Sequence, residues 1–468
     1  MAWDRAQWEM KLKLIQDIIV KANDGRGMGH ISRVLQWIVH PSIRNRIHVF
    51  AAERYKKSLP EGISAATIIN DEGIRVGLDK KEAYVKFGEI NRWRNREDEK
   101  LAACARYYSA FHNCLNPDIN LVYIDDQNSP ETLFLPEVAE VLGNGIHFGD
   151  ISEKAPYARI VVEMETQEAE RDSTMHRALE RAHYIHLSSS KEFLGIATNH
   201  HFGEEWGYKS LEQKVLEMGF LLSDRVKKNI DDVLSDKEKI RRNIFDEFKS
   251  GCKNYVYSSF GAADGADEIY DSLISAAEKR KDTLFVIANM KKIKDIIAKK
   301  WELSAVGEKG GRETKWMIKG LDNFYIVENE DTSEHITRFA AADICVLGCG
   351  SSTIYEGVYT GNPLICLPLQ RPGYEQIIKA TGIVNCRAGE AFFNAPLMND
   401  YKTQEYLKRI EFSPESLTPE RLAGKIDDIA KKISYYADGN SKLRRYFKTE
   451  EEVAKQMLDI ANSNKFNR

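Results

Sequence analysis

The chain has 468 residues, enough for two domains, each with a sizeable core. Hydrophobic residues at 43% and charged residues at 29% are those of a soluble globular protein, and a net charge of −4 excludes a whole-molecule footprint for nucleic acid. Seven cysteines without a CxxC pair exclude a disulfide framework and a structural zinc site, and point to a reducing compartment. No apolar run reaches the ~18 residues of a membrane span, and the N-terminus lacks the apolar core of a signal peptide. The sequence therefore reads as cytoplasmic.

Residues 2–14 form an amphipathic lead-in with Trp3, Trp8, Lys11 and Lys13. Such a segment permits peripheral membrane contact, although capping its own domain is the plainer expectation. Ile15 to Val20 is the first predicted strand. It runs into a loop with Gly25, Gly27 and Gly29, and Ile31 to Val39 continues as a helix. Glycines let this backbone approach a ligand closely. His30 stands at the start of the helix, where an imidazole titrating near neutrality can serve as a general base or simply cap the helix. Arg26 and Arg33 flank it and suit a phosphate or an anionic acceptor. The first hundred residues hold 19 Lys+Arg against 14 Asp+Glu, a mild bias in the same direction.

An α/β rhythm follows. Strands are predicted at Ile47 to Ala51, Ala66 to Asn70, Leu121 to Asp126, Ile160 to Met164 and Tyr184 to Leu187, with a helix over Lys100 to Asn113. Ligand groups collect at the carboxyl ends of parallel strands, so Asp125 and Asp126 become candidates to assist His30, and Ser188 a candidate acceptor contact. The pair His200-His201 stands without further ligands at metal spacing and is not taken as a metal site. Residues 211–250 are charged and read as helical, with 223–250 expected to link a domain over 1–222 to a second over 251–468.

The second domain opens with a predicted strand from Asn254 into the loop Ser258 to Gly261, whose Ser259 and Gly261 offer hydroxyl and backbone donors. Asp267 to Arg280 is a helix, Asp282 to Ala288 a strand, Lys291 to Lys300 a helix, Phe324 to Val327 a strand and Thr332 to Ala341 a helix. The most informative stretch comes next. Ile344 to Leu347 is a buried strand; Gly348, Gly350, Ser351, Ser352 and Thr353 turn into a helix ending at Thr360; Gly361 and Pro363 stop it; Leu364 to Leu367 is the next strand. A glycine-hydroxyl turn at a helix start leaves backbone N–H groups for an anion such as phosphate. Glu356, one turn further on, suits ribose hydroxyls rather than phosphate. Beyond the next strand come Glu375 and Gln376. Helices over Pro419 to Tyr436 and Glu450 to Asn462 close the chain, the last expected to pack back toward the first domain.

The run Ala342-Asp343, Gly350 to Thr353, Glu356, Gly361-Asn-Pro363, Pro368 and Glu375-Gln376 resembles the donor-binding signature of GT-B glycosyltransferases. It resembles especially the signature of those related to the UDP-N-acetylglucosamine transferase of peptidoglycan synthesis. Gly27-x-Gly29-His30-x-x-Arg33 resembles the N-terminal loop of the same fold, including the nucleotide-sugar hydrolase of pseudaminic acid synthesis. The resemblance implies an α/β protein with two Rossmann-like doubly wound parallel-sheet domains facing across a cleft. It also implies an inverting glycosyltransferase that takes a nucleotide diphosphate sugar, expected to be a UDP-sugar, as co-substrate without a required cofactor or metal. No Asp-x-Asp metal motif is evident. By the resemblance Glu356 binds ribose, Ser351 to Thr353 bind the diphosphate, Gln376 (beside Glu375) meets the donor sugar, the backbone near Val327 meets the base, Gly29 lies near the donor, and His30 is the base. A nucleotide-sugar hydrolase or epimerase is the alternative on the same scaffold; a catalytically silent nucleotide-binding protein is the other. The acceptor is open among a glycan, a lipid-linked sugar, a small molecule and a modified DNA base.

Overall fold

The computed structural model describes residues 17–22, 47–50, 119–125, 159–164, 184–187, 190–194, 215–260, 267–289, 293–306, 314–328, 331–370 and 375–462. The chain divides into two compact units. One comprises residues 1–188, 201–221 and 448–468; the other comprises 189–200 and 222–447.

The first unit holds a sheet of β1 (Asp17–Ala22), β2 (Ile47–Phe50), β3 (Ile119–Asp125), β4 (Arg159–Met164), β5 (Tyr184–Leu187) and β6 (Val215–Glu217). Every pairing is parallel and the spatial order is β2-β1-β3-β4-β5-β6. The strand order reverses between β1 and β3, the position where open parallel sheets receive ligands. Register pairs Ala22, the last residue of β1, with Asp125, the last of β3. The predicted strand at Ala66 to Asn70 and the helices at Ile31 to Val39 and Lys100 to Asn113 lie outside the described residues.

In the second unit the short α1 (Lys191–Leu194) is followed by α2 (Asp224–Ser235) and α3 (Lys237–Glu247). The reading of 211–250 as helical throughout is corrected here. Val215–Glu217 is strand β6, and the helical part breaks at Asp236, whose φ of −131° and ψ of 33° leave the helical region. Ser223 caps α2 by accepting from the Val226 N–H, so a serine before a charged run marks where the helix begins.

Next come β7 (Asn254–Ser259), α4 (Asp267–Lys279), β8 (Thr283–Asn289), α5 (Ile293–Ala298), β9 (Leu303–Val306), β10 (Thr314–Ile318), β11 (Leu321–Glu328) and α6 (Thr332–Ala341). After them run β12 (Ile344–Leu347), α7 (Ser351–Thr360), β13 (Leu364–Cys366), α8 (Glu375–Asn385), β14 (Gly389–Phe393), α9 (Ala395–Asn399) and α10 (Tyr401–Arg409). The unit closes with β15 (Glu415–Ser416), α11 (Pro419–Lys431) and α12 (Ile433–Arg444); α13 (Glu450–Asn462) belongs to the first unit. The helix expected over Pro419 to Tyr436 is thus two, parted at Lys432 (φ −126°, ψ 28°).

The second sheet has the order β9-β10-β11-β8-β7-β12-β13-β14-β15. From β11 onward every pairing is parallel; β9 and β10 add an antiparallel edge. That edge escapes a reading by apolar runs, because Ser304 and Ala305 are exposed and the residues of β10 before Ile318 only half-buried. The parallel part winds outward from β7 in both directions, so its reversal falls between β7 and β12.

Alternation along the strands covers both faces. Val256, Phe285, Ile287, Phe324, Ile326 and Val346 pack with Leu273 and Ile274 of α4 and Leu422 and Ile426 of α11. On the opposite face Tyr255 meets Phe245 of α3, Tyr257 meets Phe339 of α6, and the Tyr325 hydroxyl donates to the Phe248 carbonyl. A sheet buried on both faces by helices on either side is the doubly wound architecture. Among the described residues no helix is long and apolar enough to cross a membrane.

Candidate functional site

The loops that leave β7 and β12 touch at their roots. Register sets Ser259 beside Leu347, and the Gly348 N–H donates to the Ser259 carbonyl at 3.0 Å. A Cβ on Gly348 would lie 3.3 Å from the Phe260 Cα, so a side chain there would press on the neighbouring loop. Two turns further Gly357 sits so close to the sheet that a Cβ would meet Leu364 at 2.9 Å and Leu347 at 3.0 Å. These glycines seat α7 directly over β12 and β13.

Helix α7 begins at Gly350 with no side-chain cap. Its first helical bond runs from the Ile354 N–H to the Gly350 carbonyl at 3.0 Å, so the N–H groups of Ser351, Ser352 and Thr353 precede the helical ladder. Side chains cap other helices of this unit: Ser223 on α2, Asp331 with Glu334 on α6, Asn394 on α9, Asp400 on α10 and Thr418 on α11. Helices α3 and α12 also lack a side-chain cap, but each follows directly on the preceding helix. Helix α7 alone among these combines an uncapped start with a position at the sheet's reversal point. Unused N–H groups and the positive end of the macrodipole there favour an anion.

Glu356, one turn in, is largely covered, and its Oε2 lies 3.4 Å from the Nε2 of His335 on α6. The other ring nitrogen of His335 lies 2.8 Å from the hydroxyl of the buried Tyr257 on β7. Gln376, in the first turn of α8, accepts from the Leu369 N–H through Oε1 at 2.7 Å. Its side chain is tied to the loop after β13, with the amide Nε2 left as donor.

At the other end of α7 the polar residues have a different use. Asp343 accepts from the Tyr255 N–H at 2.7 Å and from Arg241 at 2.9 Å. Burial holds its carboxyl above the usual carboxylate value, and Arg241 opposes that shift. Lys237 donates to the Ala342 carbonyl at 2.8 Å and to the Asn362 side chain at 2.7 Å; burial lowers its pKa. The amide of Asn362 caps the end of α6 through the carbonyls of Phe339 and Ala340. Asn440 in turn donates to the carbonyls of Asn362, Ala388 and Tyr436. Gly361 takes the left-handed conformation (φ 77°) that ends α7. Ala342-Asp343 and Gly361-Asn-Pro363 therefore build the scaffold at the amino ends of β12 and β13, away from the reversal point.

Comparison with known proteins agrees with this architecture. No family model matches the sequence. Among curated proteins the chain is similar to the UDP-N-acetylglucosamine--N-acetylmuramyl-(pentapeptide) pyrophosphoryl-undecaprenol N-acetylglucosamine transferase of Sulfurihydrogenibium sp. (strain YO3AOP1). The two are 21% identical over 231 residues, 47% of this chain and 52% of that protein, so the match spans about half of each. Among solved structures it is similar to the glycotransferase of kitacinnamycin, with a TM-score of 0.55, 13% identity and coverage of 96% of this chain and 98% of that one. It is also similar to LpCGTa in complex with UDP, with a TM-score of 0.56, 12% identity and coverage of 96% and 99%. The fold is that of the GT-B glycosyltransferases.

Within the GT-B fold the predicted residues distribute as follows. Ser259, Gly350, Ser352, Thr353 and Glu356 gather at the reversal point of the second sheet, with the backbone of Ser351 opening α7. Thr353 is nearly buried and Ser352 exposed. Val327, the last residue but one of β11, has a fully buried side chain, so only its backbone is available to a ligand. Glu375 starts α8 beside Gln376. Asp125 closes β3 in the first unit. Arg26, Gly29, His30, Arg33, Asp126, Ser188 and Gly261 lie outside the described residues. Sequence reasoning missed Tyr257 and His335. Both looked like ordinary members of a strand and a helix, 78 residues apart, and no spacing rule connects them.

Proposed function

We propose that the protein is a glycosyltransferase that moves a sugar from a nucleotide diphosphate sugar, a UDP-sugar, to an acceptor hydroxyl with inversion. The observation that carries the reading is the uncapped start of α7 at the reversal point, with the Glu356 carboxylate one turn behind it. Three unused N–H groups suit a diphosphate, and a carboxylate that can only accept hydrogen bonds suits a ribose diol. In this reading His30 takes the acceptor proton as the acceptor oxygen bonds to the anomeric carbon. The bond from that carbon to the diphosphate breaks, and the electron pair leaves with the diphosphate. The α7 N–H groups stabilise the charge that develops there. Ser259 and the backbone after β11 hold the diphosphate and base, Gln376 meets the sugar, and Asp125 or Asp126 supports the base. The acceptor is a glycan, a lipid-linked sugar, a small molecule or a modified DNA base, bound by the first unit.

The test is a panel of nucleotide sugars, read by thermal stabilisation and nucleoside diphosphate release, with native protein and Glu356→Ala. A ligand bound only by the native state raises the melting temperature. Stabilisation by one UDP-sugar, lost in the variant, supports the proposal. Rapid UDP release without an acceptor replaces it with a hydrolase. No response to any nucleotide overturns it.

A further inference from the structure

Glu356 is held by a hydrogen-bonded chain that reaches through His335 to Tyr257. An ionised carboxylate only accepts, so the contact between Glu356 Oε2 and His335 Nε2 at 3.4 Å requires the proton on Nε2. In the neutral imidazole Nδ1 is then an acceptor, and the Tyr257 hydroxyl at 2.8 Å is its donor. The ring cannot turn freely about this axis. Phe339 stacks on it with planes 14° apart and centroids 5.6 Å apart, and Tyr257 meets both rings edge-on. Tyr257 is itself fully buried in β7. The chain links β7, α6 and α7, the strand and helices that meet beside the reversal point. Among the described residues Glu356 Oε1 makes no hydrogen bond, which leaves it for a ligand.

We propose that His335 is a positioning residue: braced by Tyr257 and Phe339, it fixes the Glu356 carboxylate in the orientation that reads ribose hydroxyls, and so sets the preference for ribonucleotides over deoxyribonucleotides. The inference rests on the nucleotide reading given above. A glutamate free to rotate must be ordered when the ribose arrives, and the cost of that ordering is taken from affinity. A glutamate already held by His335 loses less. A ligand without the 2′-hydroxyl gains less from the held carboxylate, so the effect of His335 falls on the difference between two ligands.

The experiment is calorimetric titration of the full-length chain with UDP and with 2′-deoxy-UDP. Native protein is expected to prefer UDP by about tenfold, the usual scale for one hydrogen bond to a charged group. In His335→Leu the preference falls to about twofold, while affinity for 2′-deoxy-UDP changes little. His335→Gln carries an amide N–H near the Nε2 position and keeps most of the preference. Tyr257→Phe removes only the hydroxyl that fixes the tautomer and gives an intermediate value; it carries the test if His335→Leu does not fold. Equal binding of both nucleotides by native protein overturns the proposal. So does an undiminished preference in His335→Leu, or an equal loss toward both nucleotides. Folded native protein that binds neither nucleotide overturns the nucleotide reading itself, so the two failures are told apart.

Discussion

At its C-terminal end helix α7 runs into a knot of polar groups, Lys237, Asp343, Asn362 and Asn440, whose donors are met by carbonyls or side chains. At its N-terminal end the same helix presents three backbone N–H groups without a side-chain cap, and a carboxylate held through one oxygen. Both ends are rich in polar residues, and both belong to one continuous sequence motif. What separates them is whether the donors already have acceptors. Polar groups that already have partners hold a structure together, whereas polar groups held in place without partners are what a ligand can use.

This contrast makes unequal demands on mutation. The largest effect is expected from Asp343→Ala, which removes the side-chain acceptor of the Tyr255 N–H and one of the partners of Arg241 inside the second unit. Breaking a buried charge pair from one side costs about 3 kcal/mol, which urea denaturation should show as a lowered midpoint. Asn440→Leu should follow at about 2 kcal/mol, because three buried carbonyls lose their common donor. Both variants, where folded, should keep their ribonucleotide preference; a selective loss would mean the two ends are not separate in function.

Glu356→Ala should do the reverse. Nucleotide affinity should fall by about tenfold or more, the worth of a hydrogen bond to a charged group, with the melting temperature nearly unchanged. Gly348→Ala comes next. Its new methyl presses on Phe260, and a few tenths of an ångström of loop movement should weaken UDP binding by about threefold with little loss of stability.

The smallest effect is a pH dependence. The Asp343 carboxyl keeps its proton to higher pH in the folded chain than in the unfolded one, so between those two values the native state binds more protons. Stability from this group is therefore greatest at low pH and is lost as pH rises through the raised value. Measured against Asp343→Asn, the native melting temperature should decline across that window; a difference that grows with pH would contradict the assigned direction.

Much of this was legible in one dimension. The strand, turn and helix around Gly350, and the helix Thr332–Ala341, follow from apolar runs and stop signals that act between near neighbours in the chain. The antiparallel edge was not, because half-buried edge strands mix polar and apolar residues. Nor was the use of the motif's individual side chains. Asp343, Asn362 and Glu356 all stand in the run that resembles the donor-binding signature, and two of them meet structural partners.

The sequence by itself determined the strands and helices between Asn254 and Leu367, apart from the antiparallel edge, and which helix start would be left uncapped, since propensity, capping and glycine geometry are local properties. The tertiary structure alone decided that β7 lies beside β12, and with it the meeting of Tyr257, His335 and Glu356. Those three residues are far apart in the chain, and only a sheet that reverses its order between these strands brings their side chains into one line of hydrogen bonds.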